Sequence, residues 1–257
     1  MSLQLGSALR SGATSLLSRT GAILLGSYVV LMAMLGTVSN SLIVGLYRQA
    51  GLAEVADAVP LLLDVSVPVA AGLYLLGVVL ASYHSLVSVR TFVAGATDAF
   101  PDGALTRNVP LALVNLFVGG LVYGLLVFLG TVALVVPGII AYVAFLFMVP
   151  YVAVEDRNFV DALRSSYRLS KGNWLLLFVL VVILVSISAA IGGVAGVVFA
   201  LVLPPLANQF AIVFLQAPAS LYVLAVIAAA FNQLRDADGD TGSAGAAPNA
   251  ETPSTPI

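Results

Sequence analysis

Residues 108–154 read NVPLALVNLFVGGLVYGLLVFLGTVALVVPGIIAYVAFLFMVPYVAV, 47 residues without one charged side chain. A helix that crosses a bilayer needs about 20 consecutive apolar residues. The stretch is therefore long enough for two, and GTVALVVPG, Gly130 to Gly138, supplies the turn between them. Glycine and proline are the residues that interrupt helices most effectively.

Working outward, the same rule finds further spans. Thr20–Tyr47 is charge-free, and Val65–Val89 is charge-free between Asp64 and Arg90. Gly172–Leu234 is charge-free too and is divided by Pro204-Pro205. This predicts an all-α, polytopic transmembrane bundle of six spans, at about residues 22–46, 66–89, 109–130, 134–154, 174–202 and 207–231. Residues 1–21 form an amphipathic leader segment, and 232–257 a small, acidic, Pro-containing tail that reads as disordered. A seven-span reading, with three helices in the last run, stays open. Thr20–Tyr47 is too long for a signal-peptide apolar region of about 7–15 residues, so it is expected to remain as a span.

Composition agrees. The chain is 61% hydrophobic and 9% charged, with a mean hydropathy of +1.10, whereas soluble domains are about 25% charged. The net charge of −2 argues against nucleic acid as a partner, and the absence of Cys removes disulfides and thiolate chemistry. Nine Arg against one Lys is the usage of a GC-rich genome, archaeal or bacterial.

Charge also orients the bundle. With the N-terminus inside, segments 1–20, 90–108, 155–173 and 232–257 hold nine of the ten basic residues, and only Arg48 lies outside. That is the positive-inside pattern, and it places both termini on the cytoplasmic side of the plasma membrane. Tyr47, Tyr83, Tyr151 and Trp174 sit near the expected borders, where aromatic residues are enriched.

The segment EDRNFVDALRSSYRLSKGN, residues 155–173, holds four of those basic residues. Asn158 and Asp161 make a capping pair, and Gly172 terminates the helix they start. Arg157, Asp161, Arg164, Arg168 and Lys171 recur at spacings of 4, 3, 4 and 3, on one polar face. Phe159, Val160, Leu163 and Tyr167 form the other. The pattern predicts an amphipathic helix at the inner membrane surface, its basic face meeting anionic headgroups. Arg157, Arg164, Arg168 and Lys171 are the candidate lipid-headgroup or partner-binding residues. Plain topogenic charge and docking of a protein at the cytoplasmic face remain as other readings.

The design recurs. Ala8-Leu9-Arg10-Ser11 repeats Ala162-Leu163-Arg164-Ser165, and Ala104-Leu105 with Arg107 is a looser third copy. Each precedes a span, so the chain reads as three units of surface segment, span, span, an internal repeat of the kind that packs around pseudo-symmetry.

The run from Pro137-Gly138 through Pro150, Val154-Glu155-Asp156, Ala162 to Ser166 and Lys171-Gly172-Asn173 resembles the membrane domain attached to some glycerophosphoryl diester phosphodiesterases, and related stand-alone six-span proteins of archaea and bacteria. The catalysis of that family belongs to a separate soluble barrel. The resemblance therefore implies no catalytic residue here, and a non-enzymatic protein is expected.

The remaining polar residues suggest little chemistry. His84 is the single histidine and reads as an interfacial polar residue, since zinc needs about four ligands or three plus water. Glu54, Asp57 and Asp64 read as a solvated acidic loop rather than a calcium site. No metal and no cofactor is expected. No nucleophile elbow or phosphate loop occurs, and no ionisable group lies mid-span, which counts against ion-coupled transport. Asn115, Asn208, Gln209 and Gln216 read as interhelical polar contacts. The pairs Gly120/Gly124 and Gly192/Gly196 read as close helix contacts, within the chain or between copies. Pro137, Pro150 and Pro218 read as kinks. The function expected is membrane organisation or anionic-lipid interaction. Transport of an apolar or lipid-like substrate, and scaffolding of a soluble partner, are the alternatives.

Overall fold

The computed structural model describes residues 3–60 and 63–244, with only the backbone path given from 239 onward. Its elements are α1 (Leu5–Leu16), α2 (Arg19–Gln49), α3 (Ala53–Asp57), α4 (Val67–Val93), α5 (Val109–Ala133), α6 (Val135–Ala144), α7 (Met148–Glu155), α8 (Phe159–Ser170), α9 (Trp174–Val202) and α10 (Pro205–Ala244). Among the described residues there is no strand. Six helical stretches are long and apolar enough to cross a membrane: 19–49, 67–93, 109–133, 135–155, 174–202 and 205–238. These six candidate spans match the number expected, as in a multi-pass membrane protein.

α2, α4 and α10 pack against one another, α9 lies on α10, and α7 lies on α4. α5 and α6 form a hairpin whose turn is a single extended residue, Leu134. So short a turn brings two backbones together. A Cβ on Gly130 would lie 2.9 Å from the Gly138 Cα, and one on Gly138 would run into Thr131. The glycines expected to mark this turn are required by it.

The fourth span is not one helix. It breaks at Phe145–Phe147, between α6 and α7. Pro150 accounts for the break: it has no N–H to give the carbonyl four residues back, and its ring crowds that carbonyl, at Leu146. Pro150 therefore sits in the first turn of α7, where helices tolerate proline, and ends a helix rather than kinking one. Pro137 likewise lies in the first turn of α6. Of the three prolines expected to kink spans, Pro218 alone lies in a helix interior.

One expected boundary also moves, and one repeat copy is not helical. α10 continues through 232–244, so the tail expected to be disordered from 232 is helical in its first part; 245–257 lie outside the described residues. The middle copy of the repeat forms turns, not a helix. There Arg107 N donates to the Gly103 carbonyl at 2.9 Å, and Gly103 takes φ +73, the left-handed region open to glycine.

Candidate functional site

α8 is bounded as its sequence dictates. Asn158 Oδ1 accepts from Asp161 N at 3.0 Å, and its Nδ2 donates back to Asp161 Oδ2 at 2.6 Å. Gly172, at φ +91, turns the chain out of the helix. Asn115 of α5 adds a second cap: its Oδ1 accepts from Phe159 N at 3.0 Å. This is the interhelical role expected of Asn115, and it ties α8 to the third span.

The helix has three faces. Ala162, Ser166, Leu169 and Ser170 are buried on α6 and α7. Ser166 Oγ accepts from Phe147 N at 3.0 Å and donates to the Ala144 carbonyl at 2.9 Å, and Ser170 Oγ reaches the Val143 and Ala144 carbonyls at 3.3 Å. Two serines of α8 thus satisfy the backbone groups that the broken fourth span leaves open, as buried polar groups require. The second face is apolar and open: Val160 and Tyr167 are exposed although the sequence pairs them with Leu163, which is buried. The third face carries Asp161, Arg164, Arg168 and Lys171.

The four expected basic residues are not equivalent. Arg157 turns inward, pairing with Glu155 at 2.7 Å, donating to Ser165 Oγ and lying 4.9 Å over the Tyr151 ring. Arg164 lies 3.8 Å from Asp161. Arg168 donates to Ser165 Oγ at 3.3 Å. Arg157, Arg164 and Arg168, with Asp161 among them, line an open groove of about 970 Å³ whose apolar wall is Val122, Phe145, Phe159, Val160, Leu163 and Tyr167. Lys171 is not among its lining residues. Such a groove can hold an anion at the guanidinium rim and a hydrocarbon chain along the wall.

A second charged cluster escaped sequence reasoning. Arg90, counted only as a loop charge, is buried at 5% exposure. Its Nε donates to the Ala153 carbonyl at 2.7 Å and its Nη1 to the Ala104 carbonyl at 3.1 Å. Arg107 donates to the Val154 carbonyl at 2.7 Å. Both face Asp156, Arg107 at 3.1 Å and Arg90 at 3.5 Å. Asp156 itself has φ +51, a conformation that Asp adopts more readily than most residues. The two arginines satisfy carbonyls at the end of α7 and hold the α7–α8 corner. The available signal was an Arg at the inner edge of a span together with an Asp beside a helix end.

His84 is likewise structural, buried between α4 and α2. Its Nε2 lies 3.0 Å from the Leu24 carbonyl and 3.1 Å from Ser27 Oγ. The glycine expectations divide. A Cβ at Gly120, Gly124 or Gly196 meets nothing within 4 Å, whereas Gly192 lies against Gln216, and Gly119, not singled out, packs on Phe159 and Met148. Gln209 Oε1 accepts from Asn40 at 2.8 Å. Among the described residues no three His, Cys, Asp or Glu side chains gather as metal ligands.

A family model described as a domain of unknown function (DUF7847) matches residues 3–235. No curated protein and no solved structure matches the chain.

Proposed function

The chain belongs to the DUF7847 family, and from that premise we propose that it is a non-enzymatic plasma-membrane protein that holds an anionic lipid in the α8 groove. The carrying observation is the groove itself, an arginine rim at Arg157, Arg164 and Arg168 above an apolar wall. The positive-inside distribution supports placing α8, with α1, at the cytoplasmic surface and both termini inside. Each basic residue near an anionic leaflet contributes about 1 kcal/mol; Arg168 supplies this in full, while Asp161 offsets part of the contribution of Arg164.

The test is native mass spectrometry of protein extracted with its own lipids. The wild type retains anionic lipid in fixed stoichiometry, the Arg164→Gln/Arg168→Gln variant loses it, and Lys171→Gln keeps it. Equal retention in the double variant and the wild type would sink the reading.

A second reading is transport of a lipid-like substrate, favoured by the broken fourth span and by two cavities of about 320 and 420 Å³ that share Gln216 in their walls. Flux in proteoliposomes that Gln216→Leu abolishes would select it. Scaffolding of a soluble partner would be the outcome if a protein, and no lipid, followed Arg164 and Arg168.

A further inference from the structure

Apart from the α8 groove, a smaller cavity of about 200 Å³ is walled by Arg90, Arg107 and Arg235, with the loop Pro101–Ala104 closing one side. Three separate parts of the chain bring these guanidiniums together: the end of α4, the turn before α5, and α10. Asn232 fixes the register of α10 here, donating to the Val93 carbonyl at 2.8 Å. Arg235, three residues on, lies 5.2 Å over the Phe231 ring.

The charges do not cancel. Asp102 lies in the wall and is exposed, and Asp156 is divided between Arg90 and Arg107. Among the lining residues three guanidiniums face one carboxylate. Donors also remain. Arg90 is 95% buried, and its Nη2 is paired with Asp156 Oδ1 only at the long distance of 3.5 Å, without a well-formed hydrogen bond from either atom. A buried charged donor gains from a closer acceptor. The cavity is open on one side and has room for a tetrahedral oxyanion. Guanidinium groups match phosphate oxygens two at a time.

We propose that Arg90, Arg107 and Arg235 form a binding site for a phosphomonoester or free phosphate, distinct from and independent of the α8 groove. The shared chemistry is a terminal phosphate dianion, whether on a lipid headgroup or in solution. Arg90 and Arg107 also hold α7, so Arg235 is the residue to change first.

The full chain in phosphatidylcholine nanodiscs is titrated with inorganic phosphate by calorimetry. In parallel, nanodiscs doped with phosphatidate are read by native mass spectrometry. Loss of one charge-assisted contact in Arg235→Gln is expected to weaken binding about tenfold. Weakened inorganic phosphate binding identifies a soluble phosphate, and weakened phosphatidate retention alone identifies a headgroup. Arg107→Lys, which keeps the charge but not the fork, gives a second variant and is expected to weaken the same ligand. Because phosphatidate is also a ligand for the α8 groove, its retention is read in the Arg164→Gln/Arg168→Gln background, where the phosphatidate that remains is expected to fall with Arg235→Gln. If neither inorganic phosphate nor that remaining phosphatidate responds to Arg235→Gln or Arg107→Lys, the proposal is overturned.

Discussion

Near α8, the side chains of Phe147, Met148, Val152, Leu177, Leu180, Leu221 and Phe231 are almost wholly buried by the rest of the chain. Toward the other ends of the same spans, Leu121, Leu125, Phe128, Val132, Val197 and Leu201 are mostly exposed. α5 and α9 bury one face near α8, at Ala112, Asn115 and Gly119 and at Leu177, Leu180 and Leu184, and no residue toward the other end, while Leu111, Val114, Phe117 and Leu175 stay exposed near α8 as well. In water such a gradient would be a defect. In lipid an exposed leucine costs nothing, because the acyl chains are as apolar as its neighbours. What must be satisfied is the polar group, and one cluster of such groups surrounds α7 and α8: Arg90 and Arg107 on the α7 carbonyls, Ser166 and Ser170 on the broken span, Asn115 on the start of α8. Packing follows the hydrogen bonds. Half of the apolar stretch of the fourth span is buried, against 11–28% in the other five, and that span is the one whose backbone is broken.

Three substitutions probe this contrast. Arg90→Met removes the donors to the Ala153 and Ala104 carbonyls and leaves Asp156 to Arg107 alone. Each buried acceptor left open costs about 1–3 kcal/mol, so thermal unfolding in detergent is expected to shift downward, with early proteolysis at the α7–α8 corner. Ser166→Ala removes both the acceptor for Phe147 N and the donor to Ala144. A loss of about 1–3 kcal/mol is expected, with hydrogen exchange rising at 144–148 before elsewhere. Leu125→Ala, on the open part of α5, is expected to change stability by no more than about 0.5 kcal/mol. A large loss there would mean that a second copy of the chain, rather than lipid, covers α5, and the contrast between the two regions would fail.

The repeat shows where sequence reading reaches its limit. Ala8, Ala104 and Ala162 are all buried at 2% exposure or less, and Arg10 and Arg164 both point outward, so the repeated letters do repeat an environment. Their partners differ. α1 lies along α10, where the Tyr222 hydroxyl donates to the Leu9 carbonyl at 3.1 Å and Gly12 faces Val226. α8 lies on α6 and α7, and the middle copy is a turn. Asn158, Asp161 and Gly172 were legible because caps are local. Arg157 was not: helical spacing places it with Arg164 and Arg168, but it precedes the helix, and Glu155 and Ser165 draw it inward. Gly119 and Gly120 are adjacent in sequence, yet only the first meets a neighbouring helix, and no motif spacing distinguishes them.

The sequence by itself determined the class, the number of spans and nearly all their borders. Those follow from apolar length, charge and proline position, which act over one turn or one bilayer thickness wherever the helix ends up. Only the tertiary structure decided which arginines are buried, which glycines are contacts, and that two serines of α8 complete a broken span. Each of those depends on how far one helix is rotated and shifted against another, and in a membrane that rotation is set by a few polar contacts between residues far apart in the chain.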